Sequence, residues 1–505
     1  MPPRAPHADV DPRAPESPDV LATAAAGPAA IRGGTLRVGG FGAGVLLGLV
    51  ATALLFRHLG VVETGYYVTV LSLVAVVGGV SDAGLTAIGV RELSVRSRSD
   101  RDDFVRNLLG LRVALTFAGI LFAVGFAVAA GYPDAMVAGT VLSGIGLLLQ
   151  SLQATLAISL MSALRLGWVS AADLLRSFAS TVLIVLGVLV GSGLVAFLSV
   201  PIFASLLMLA FTAWLVRHDI PLVPAFHGRA WRELLRDVLP YSVAVAAGVL
   251  YFRIAVLIVS LVASEEATGL FSASFRVVDV LVAVPALMMG AAFPIFSRSA
   301  HDDHDRLAYG FGRTFEVSVI LGAGVMLMVA FGAPVAIDVV AGPDFAASVD
   351  VLRIQSVGVG ANFVGAFWAF SLLSLRLHRE LLGINLLALA LVTVLVAVLA
   401  TTAGAQGAAV GTALAEVATI VIYPLVLRRR HPELMPSLAS LPRVALALAL
   451  AATIALVPVP ALAQLAMVVL VYVALLLALR AVPAELLVEA RRLRGRSGRP
   501  KPDHR

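Results

Sequence analysis

The sequence predicts an all-α protein that crosses a membrane about 14 times. Of its 505 residues, 60% are hydrophobic and 13% are charged, whereas a soluble chain has roughly a quarter charged residues. Its mean hydropathy is +0.97. Apolar stretches long enough to cross a bilayer, about 20 residues each, alternate with short polar breaks. The predicted spans are 36–56, 65–90, 108–130, 136–161, 171–193, 195–216, 239–262, 269–296, 314–337, 351–375, 381–401, 406–427, 444–461 and 463–480.

The segments outside these spans are short and polar. Residues 1–33 are rich in Pro, Ala and Asp and contain no continuous apolar run, so they predict a disordered cytoplasmic tail and not a signal peptide. Residues 217–238 predict a cytoplasmic linker, in which Ala230–Asp237 form an amphipathic helix on the membrane surface. Residues 481–505 predict a basic cytoplasmic tail.

The distribution of cations supports the count of 14 helices. With the N-terminus inside, 31 of the 37 lysine and arginine residues fall in cytoplasmic segments or, for Arg37 and Arg480, at the cytoplasmic end of a terminal span, and the outer loops hold only Arg57. Short basic loops stay on the cytoplasmic side of a membrane. We therefore expect a multi-pass protein of the bacterial inner membrane with both termini in the cytoplasm.

Two short sequences recur at the same offset of 204 residues. Ala43–Leu46 recurs as Ala247–Leu250, and Thr64–Tyr67 recurs as Thr268–Phe271. An offset of six helices returns the chain to the same side of the membrane, so the repeat is parallel. Parallel halves with a site between them are a transporter architecture. The predicted domains are an N-lobe (34–216), a C-lobe (239–427) and two additional helices (443–480).

Composition excludes several classes of site. The chain has no cysteine, its nine histidines all fall in predicted connections or tails, and its only lysine is Lys501. Thiolate metal sites, histidine-ligated metals within the membrane and a P-loop lysine are therefore absent, and we expect neither a metal nor a cofactor. The external loops are too short to hold a catalytic domain, which argues against a membrane glycosyltransferase or any other enzyme. The net charge of +6 follows membrane topology and does not indicate nucleic acid.

Several short motifs follow one another along the chain in a characteristic order and spacing, namely Arg57–Tyr67, Ser81–Leu85, Val90–Leu93, Leu239–Tyr241, Tyr251–Arg253, Ala267–Ala273 and Phe293–Ile295. In this order and spacing they resemble the polysaccharide flippases of the multidrug/oligosaccharidyl-lipid/polysaccharide exporter superfamily. The resemblance covers helices 1 to 12, and helices 13 and 14 match the additional pair common in the flippase members.

The resemblance implies a protein that moves a lipid-linked oligosaccharide, carried on a polyprenyl diphosphate, from the inner to the outer leaflet by alternating access. Its expected partners are this glycan, membrane lipid, a coupling proton or sodium ion, and the polymerase and glycosyltransferases of polysaccharide synthesis. Alternatives within the fold are a lipid II-type flippase and a cation-coupled multidrug exporter. An alternative of another class is a non-transporting scaffold of an envelope-assembly complex.

Charged residues within the spans are the candidate site. Arginine holds phosphate oxygens in a bidentate fork and stays charged. Arg253 and Arg276 lie at similar depths on adjacent helices, and Asp279 follows Arg276 on the same helix face. A structural Arg276–Asp279 ion pair, with Arg253 packed against it, is the alternative.

The other charged or amide residues within the spans are weaker candidates. Arg57 and Arg353, near outer helix ends, either contact the substrate or extend to lipid headgroups. Asn362 is a further candidate cavity residue, and Asp82 and Glu416 are candidates for ion coupling. Arg112 and Arg176 lie near inner helix ends, and we expect them to extend to the membrane surface or to form ion pairs, Arg176 with Asp173.

Overall fold

The structure, a computed structural model, describes residues 26–482 with the exception of 83, 97 and 303. The described residues form α-helices, short 3-10 helices and loops, and no β-strand is found among them. The helices are α1 (Ala26–Asp82), α2 (Leu85–Val95), α3 (Arg98–Ala129), α4 (Asp134–Ser162), α5 (Leu166–Val190), α6 (Leu194–Val216), α7 (Gly228–Val262), α8 (Glu265–Asp302), α9 (His304–Val340), α10 (Ser348–Ser374), α11 (His378–Arg430), α12 (Leu441–Ala452) and α13 (Ala461–Ala478).

Two of these helices each contain two membrane spans. α1 bends at Gly60, whose φ of 71° lies in the left-handed region that glycine adopts readily. α11 bends at Ala403 and Gly404. We call the arms α1a (26–59), α1b (61–82), α11a (378–402) and α11b (405–430). If α1b and α2 are counted as one span, and α12 with the 3-10 helix that extends it (Thr453–Leu456) as another, the described part of the chain has 14 spans at the predicted positions, which confirms the predicted all-α polytopic fold class.

Several helices extend beyond the predicted spans, as α3 does from Arg98 and α9 from His304, and three further differences concern the connections. α1 begins at Ala26, within the predicted tail, whereas residues 1–25 and 483–505 lie outside the described residues. The second span divides into α1b and α2. The expected surface helix at Ala230–Asp237 is the first part of α7, because Trp231 packs on α3 and its indole Nε1 donates to the Asn107 carbonyl at 3.1 Å.

The helices of the predicted N-lobe, those of the predicted C-lobe and the terminal pair each make contacts among themselves. α4 packs on α6 and α1 on α5 in the N-lobe, and α10 packs on α8, α9 and α11 in the C-lobe. α12 and α13 pack on α9, where the Tyr472 hydroxyl donates to the Ile320 carbonyl at 2.8 Å. The terminal pair therefore extends the C-lobe core.

Equivalent turns of the two lobes have the same backbone geometry. Leu164 follows α4 with a φ of 54°, and Arg376 follows α10 with a φ of 58°. In both turns the next residue donates its amide five residues back, from Arg165 to the Leu160 carbonyl and from Leu377 to the Leu372 carbonyl. Since α4 and α10 are the fourth helix of each lobe, this match supports the predicted parallel repeat.

The two lobes meet at the predicted outer end through their repeated motif. Gly65 of α1b lies against Gly269 of α8, where a Cβ on Gly65 would come within 2.9 Å of the Gly269 nitrogen. The preceding residues, Thr64 and Thr268, are buried. Small residues let membrane helices approach closely. The interface between the lobes is therefore closed at this end.

Candidate substrate cavity

A cavity of about 330 Å³ lies between the two lobes. α1, α4, α5 and α6 form its N-lobe side, and α7 and α8 form its C-lobe side. Charged side chains within a membrane are costly and usually face a water-filled cavity or one another. Four charged residues line this cavity, namely Arg176, Arg253, Arg276 and Asp279.

One carboxylate joins two of the arginines. Arg253 Nη2 lies 3.2 Å from Asp279 Oδ1, and Arg276 Nη1 lies 3.3 Å from Asp279 Oδ2. The structure therefore brings together the three residues that the sequence placed first, and it confirms the predicted Arg276–Asp279 pair. Since Asp279 neutralises one of two guanidinium groups, the cluster keeps one net positive charge.

Ring and hydroxyl contacts hold the two guanidinium groups in place. Arg253 Cζ lies 5.3 Å from the ring centre of Phe252 and 5.6 Å from that of Phe275, within cation–π range. Arg276 Nε donates to Thr52 Oγ1 on α1a at 3.3 Å. This bond crosses from the C-lobe to the N-lobe, so the position of Arg276 depends on how the lobes are arranged.

Arg176 of α5 is a cavity residue that the sequence analysis missed. We expected it to extend to the membrane surface or to pair with Asp173, but it lines the cavity and forms no ion pair with any residue that the structure describes. Its Nε is buried without a hydrogen-bond partner. Ser180, one turn further along α5, lines the same cavity. The spacing of these two polar residues, one helical turn apart on the same face, was the sequence feature that could have predicted a cavity position for Arg176.

Uncharged polar groups line the N-lobe side of the cavity. Ser72 of α1b, Gln150 of α4, Ser180 of α5 and Ser205 of α6 form no side-chain hydrogen bond within the described part of the chain. Ser143 differs, because its hydroxyl donates to the Leu198 carbonyl at 2.8 Å. Gln150, Ser180 and Ser205 are therefore available to a bound molecule, and the buried Ser72 hydroxyl beside them has no partner among the described residues.

A second cavity, of about 60 Å³, lies within the C-lobe. Asn362 and Glu416, both candidates from the sequence, line it together with Gln355 and Tyr251. Gln355 is buried, and its Oε1 has no partner among the described residues. Phe275 lines both cavities, so this aromatic side chain lies between Glu416 and the arginines.

The remaining candidates lie outside both cavities. Arg57 donates to the Asp338 carbonyl at the end of α9 at 2.6 Å, and Arg353 pairs with Asp350 at 3.0 Å. Asp82 forms an ion pair with Arg112, whose side chain is only 2% exposed. These contacts favour structural roles for all three, and the expected pairing of Arg112 is found.

The comparisons with known proteins place the chain in a family. The family profile described as "Polysaccharide biosynthesis protein" matches residues 54–350, more than half of the chain. The chain belongs to this family. The matched residues of this polysaccharide biosynthesis protein include the four charged cavity residues and leave out Asn362 and Glu416. No curated protein matches the chain.

Solved structures with the same fold are transporters by name. The lipid II flippase MurJ, in an inward closed conformation, has a TM-score of 0.74 at 13% identity, over 87% of this chain and 98% of MurJ. An inward-facing multidrug resistance MATE transporter has a TM-score of 0.63 at 14% identity, covering 77% and 95%. A MOP superfamily transporter from Pyrococcus furiosus has a TM-score of 0.54 at 19% identity, covering 81% and 96%. At these identities the likeness concerns the fold.

Proposed function

We propose that this polysaccharide biosynthesis protein is a flippase that moves a polyprenyl-diphosphate-linked oligosaccharide across the inner membrane of a bacterium by alternating access. The observation that carries the proposal is the cationic cavity between the two lobes. Three arginines and one aspartate give it a net charge of +2. A diphosphate esterified at both ends carries two negative charges, so the charges of cavity and cargo match.

The arginines suit the diphosphate for two physical reasons. A guanidinium group binds two phosphate oxygens at once and is more weakly hydrated than an ammonium group, so burial costs it less. In the empty cavity Asp279 is the counter-ion of Arg253 and Arg276. A phosphate entering the cavity competes with this carboxylate, whereas Arg176 is available to it directly.

A lipid II flippase is the second candidate, because MurJ shares the fold over most of its length. The family description favours a polysaccharide precursor over lipid II. A multidrug exporter, the third alternative, has no evident need for three arginines in its cavity. A non-transporting scaffold has no need for a charged cavity between two lobes.

We assign the coupling role to Glu416. It is the acidic residue of the smaller cavity, and the unpartnered Gln355 oxygen and Asn362 beside it are further oxygen ligands for a proton or sodium ion. Asp82, the other predicted coupling residue, is held by Arg112. We expect Glu416→Gln to leave diphosphate binding intact and to abolish the dependence of transport on an ion gradient, measured in proteoliposomes with proton and sodium gradients imposed separately.

The proposal is tested by leaflet accessibility in proteoliposomes. A labelled undecaprenyl-diphosphate oligosaccharide is supplied in one leaflet, and its appearance in the other is followed for wild type, Arg253→Ala and Arg353→Ala. Arg353→Ala is the matched control, since Arg353 lies within a span but outside the cavity. We expect transport by wild type and the control, and a loss of at least 10-fold in Arg253→Ala because a charge-assisted bond to the diphosphate is removed.

Two results would contradict the proposal. Transport by fully inserted Arg253→Ala at the wild-type rate would remove the arginine cluster from the substrate site. A wild-type protein that moves no labelled lipid under either ion gradient would refute the flippase assignment and favour a small-molecule exporter or a scaffold.

A further inference from the structure

The neutral wall of the central cavity, which we define as Ser72, Gln150, Ser180 and Ser205, has a separate chemistry from the arginine cluster. Its members come from four different helices of the N-lobe, α1b, α4, α5 and α6. None is ionisable. Amide and hydroxyl groups from four helices thus converge on the N-lobe side of the cavity, which also holds Arg176, while the C-lobe side carries Arg253, Arg276 and Asp279.

These groups have no partners within the described protein. Ser72 is the sharpest case, because its side chain is 1% exposed and its hydroxyl has no hydrogen bond. A buried hydroxyl without a partner destabilises the protein, because it has lost its hydrogen bonds to water. Ser143 and Thr52, which line the same cavity, are both bonded to backbone carbonyls, of Leu198 and Gly48 respectively. Some hydroxyl groups of the cavity therefore have hydrogen-bond partners within the protein, whereas the groups of the neutral wall have none among the described residues.

We propose that the neutral wall is the subsite for the sugar attached to the diphosphate, that it selects an uncharged sugar, and that Gln150 is its specificity-determining residue. This inference rests on the proposed function, which supplies the diphosphate. Sugar hydroxyl and acetamido groups are uncharged donors and acceptors, as are the serine hydroxyls and the glutamine amide. Gln150 has the longest side chain of the four and offers both a donor and an acceptor.

Gln153 provides a matched contrast on the same helix. It lies three residues beyond Gln150, but its amide is buried and donates to Thr212 Oγ1 at 3.1 Å between α4 and α6. Gln153 does not line the cavity. The two residues have the same side chain, and only Gln150 is free to bond a ligand. Replacing each by leucine separates recognition from folding.

The experiment compares two probes on the full-length protein in nanodiscs. The probes are undecaprenyl diphosphate and undecaprenyl diphosphate carrying one N-acetylhexosamine. The quantity measured is the ratio of their dissociation constants. We expect wild type to prefer the glycosylated probe by roughly 10-fold, since a polar site discriminates against a ligand that lacks its hydrogen-bonding groups. Gln150→Leu should bring the ratio close to 1 and leave the affinity for the bare diphosphate unchanged.

The two control variants should behave differently. Gln153→Leu should lower the melting temperature and keep the wild-type ratio. Ser72→Ala should lower the ratio roughly 3-fold, since one hydrogen bond contributes about 0.5–1.5 kcal/mol.

Two outcomes would overturn the sugar subsite while leaving the flippase proposal standing. One is equal affinity of wild type for both probes. The other is a wild-type ratio retained by Gln150→Leu, whatever the ratio of Ser72→Ala. A wild-type protein that binds neither probe would instead refute the proposed function, and the subsite with it.

Discussion

At the scale of single residues, Asp279 is the group that we expect to compete with an anion bound by the proposed flippase. Its carboxylate contacts both Arg253 and Arg276, so the empty site already contains one negative charge at the position where a phosphate would bind. An internal counter-ion lowers the affinity for the cargo but makes its release easier. A transporter needs both properties, because cargo that binds too tightly is not released.

Replacement of Asp279 by asparagine tests this role. We expect Asp279→Asn to bind undecaprenyl diphosphate roughly 5-fold more tightly, because about 1 kcal/mol of competition is removed, and to transport more slowly. Equilibrium binding and proteoliposome transport measure the two effects. Asp350→Asn, which removes the partner of Arg353 outside the cavity, is the control and should change neither. Weaker binding by Asp279→Asn would show that Asp279 only positions the arginines.

The Asp82–Arg112 pair allows a separate test of whether Asp82 stabilises the structure or couples transport to an ion. Arg112 also donates to Thr86 Oγ1 at 2.6 Å and to the Ser151 carbonyl at 3.3 Å, so it joins α2, α3 and α4. Asp82→Asn leaves a buried cation without its counter-ion, and we expect a loss of about 3 kcal/mol in the free energy of unfolding. The double variant Asp82→Asn/Arg112→Met should recover most of the lost free energy of unfolding. Thermal denaturation measures the stability of both variants. A stable Asp82→Asn protein that has lost ion coupling would contradict this assignment.

The sequence predicted part of the site because depth within a helix can be counted from its ends. Arg253 and Arg276 were placed at the same level in this way, and Asp279 followed from its spacing. Arg176 was missed because depth does not tell which face of a helix meets a neighbour. Its orientation depends on how α5 packs on α1, which is a tertiary property.

At the scale of helices, the repeated motif brings the two lobes into close contact where α1b meets α8. Gly65 and Gly269 occupy equivalent positions of the repeat, and they meet at the predicted outer end. Positions related by a two-fold axis touch each other only near that axis. The repeated Thr-Gly pair therefore marks where the lobes must separate if the cavity is to open outward.

A larger side chain at this contact should prevent closure. We expect Gly65→Leu to favour the outward-open arrangement, because a Cβ at Gly65 already meets the Gly269 backbone. The natural chain has no cysteine, so Ser180→Cys in the cavity can report access to an impermeant maleimide added from outside. Labelling should rise several-fold in Gly65→Leu. Gly248→Leu is the control, because a Cβ at Gly248 meets nothing within 4 Å.

Labelling that stays at the background level in Gly65→Leu would show that other contacts close this end. Tyr132 Oη lies 2.6 Å from Ser260 Oγ between the lobes and would then be the next contact to test.

The positions of the helices were predictable because bilayer thickness fixes their length and polar breaks separate them. The connections were less predictable, since they depend on contacts between helices. The start of α7 shows this limit: residues 230–237 are amphipathic, which suits a membrane surface, but Trp231 finds an apolar site on α3 and the segment continues α7.

At the scale of the whole molecule, the two lobes share a backbone plan but not their charges. The offset that relates Thr64 to Thr268 also relates Ser72 to Arg276 and Ala75 to Asp279. All four residues line the central cavity. Positions related by the sequence offset therefore line the cavity from both lobes, and only those of the C-lobe carry the ion pair of Arg276 and Asp279. The candidate site is thus found where residues at equivalent positions of the two lobes differ, whereas the repeated residues belong to the helix arrangement that the lobes share.

The orientation of the molecule in the membrane is predicted from its cations and can be tested directly. Single cysteines at Gly193, between α5 and α6, and at His218, after α6, lie at opposite ends of α6 and are both exposed. The positive-inside rule places Gly193 outside and His218 in the cytoplasm. We expect an impermeant maleimide to label Gly193→Cys in intact cells, and His218→Cys only after permeabilisation. The reverse pattern would place the Gly65–Gly269 contact on the cytoplasmic side, so that the cavity would be closed to a lipid-linked glycan made in the cytoplasm. The expected pattern leaves the cavity closed on the outside, where the finished precursor is to be released.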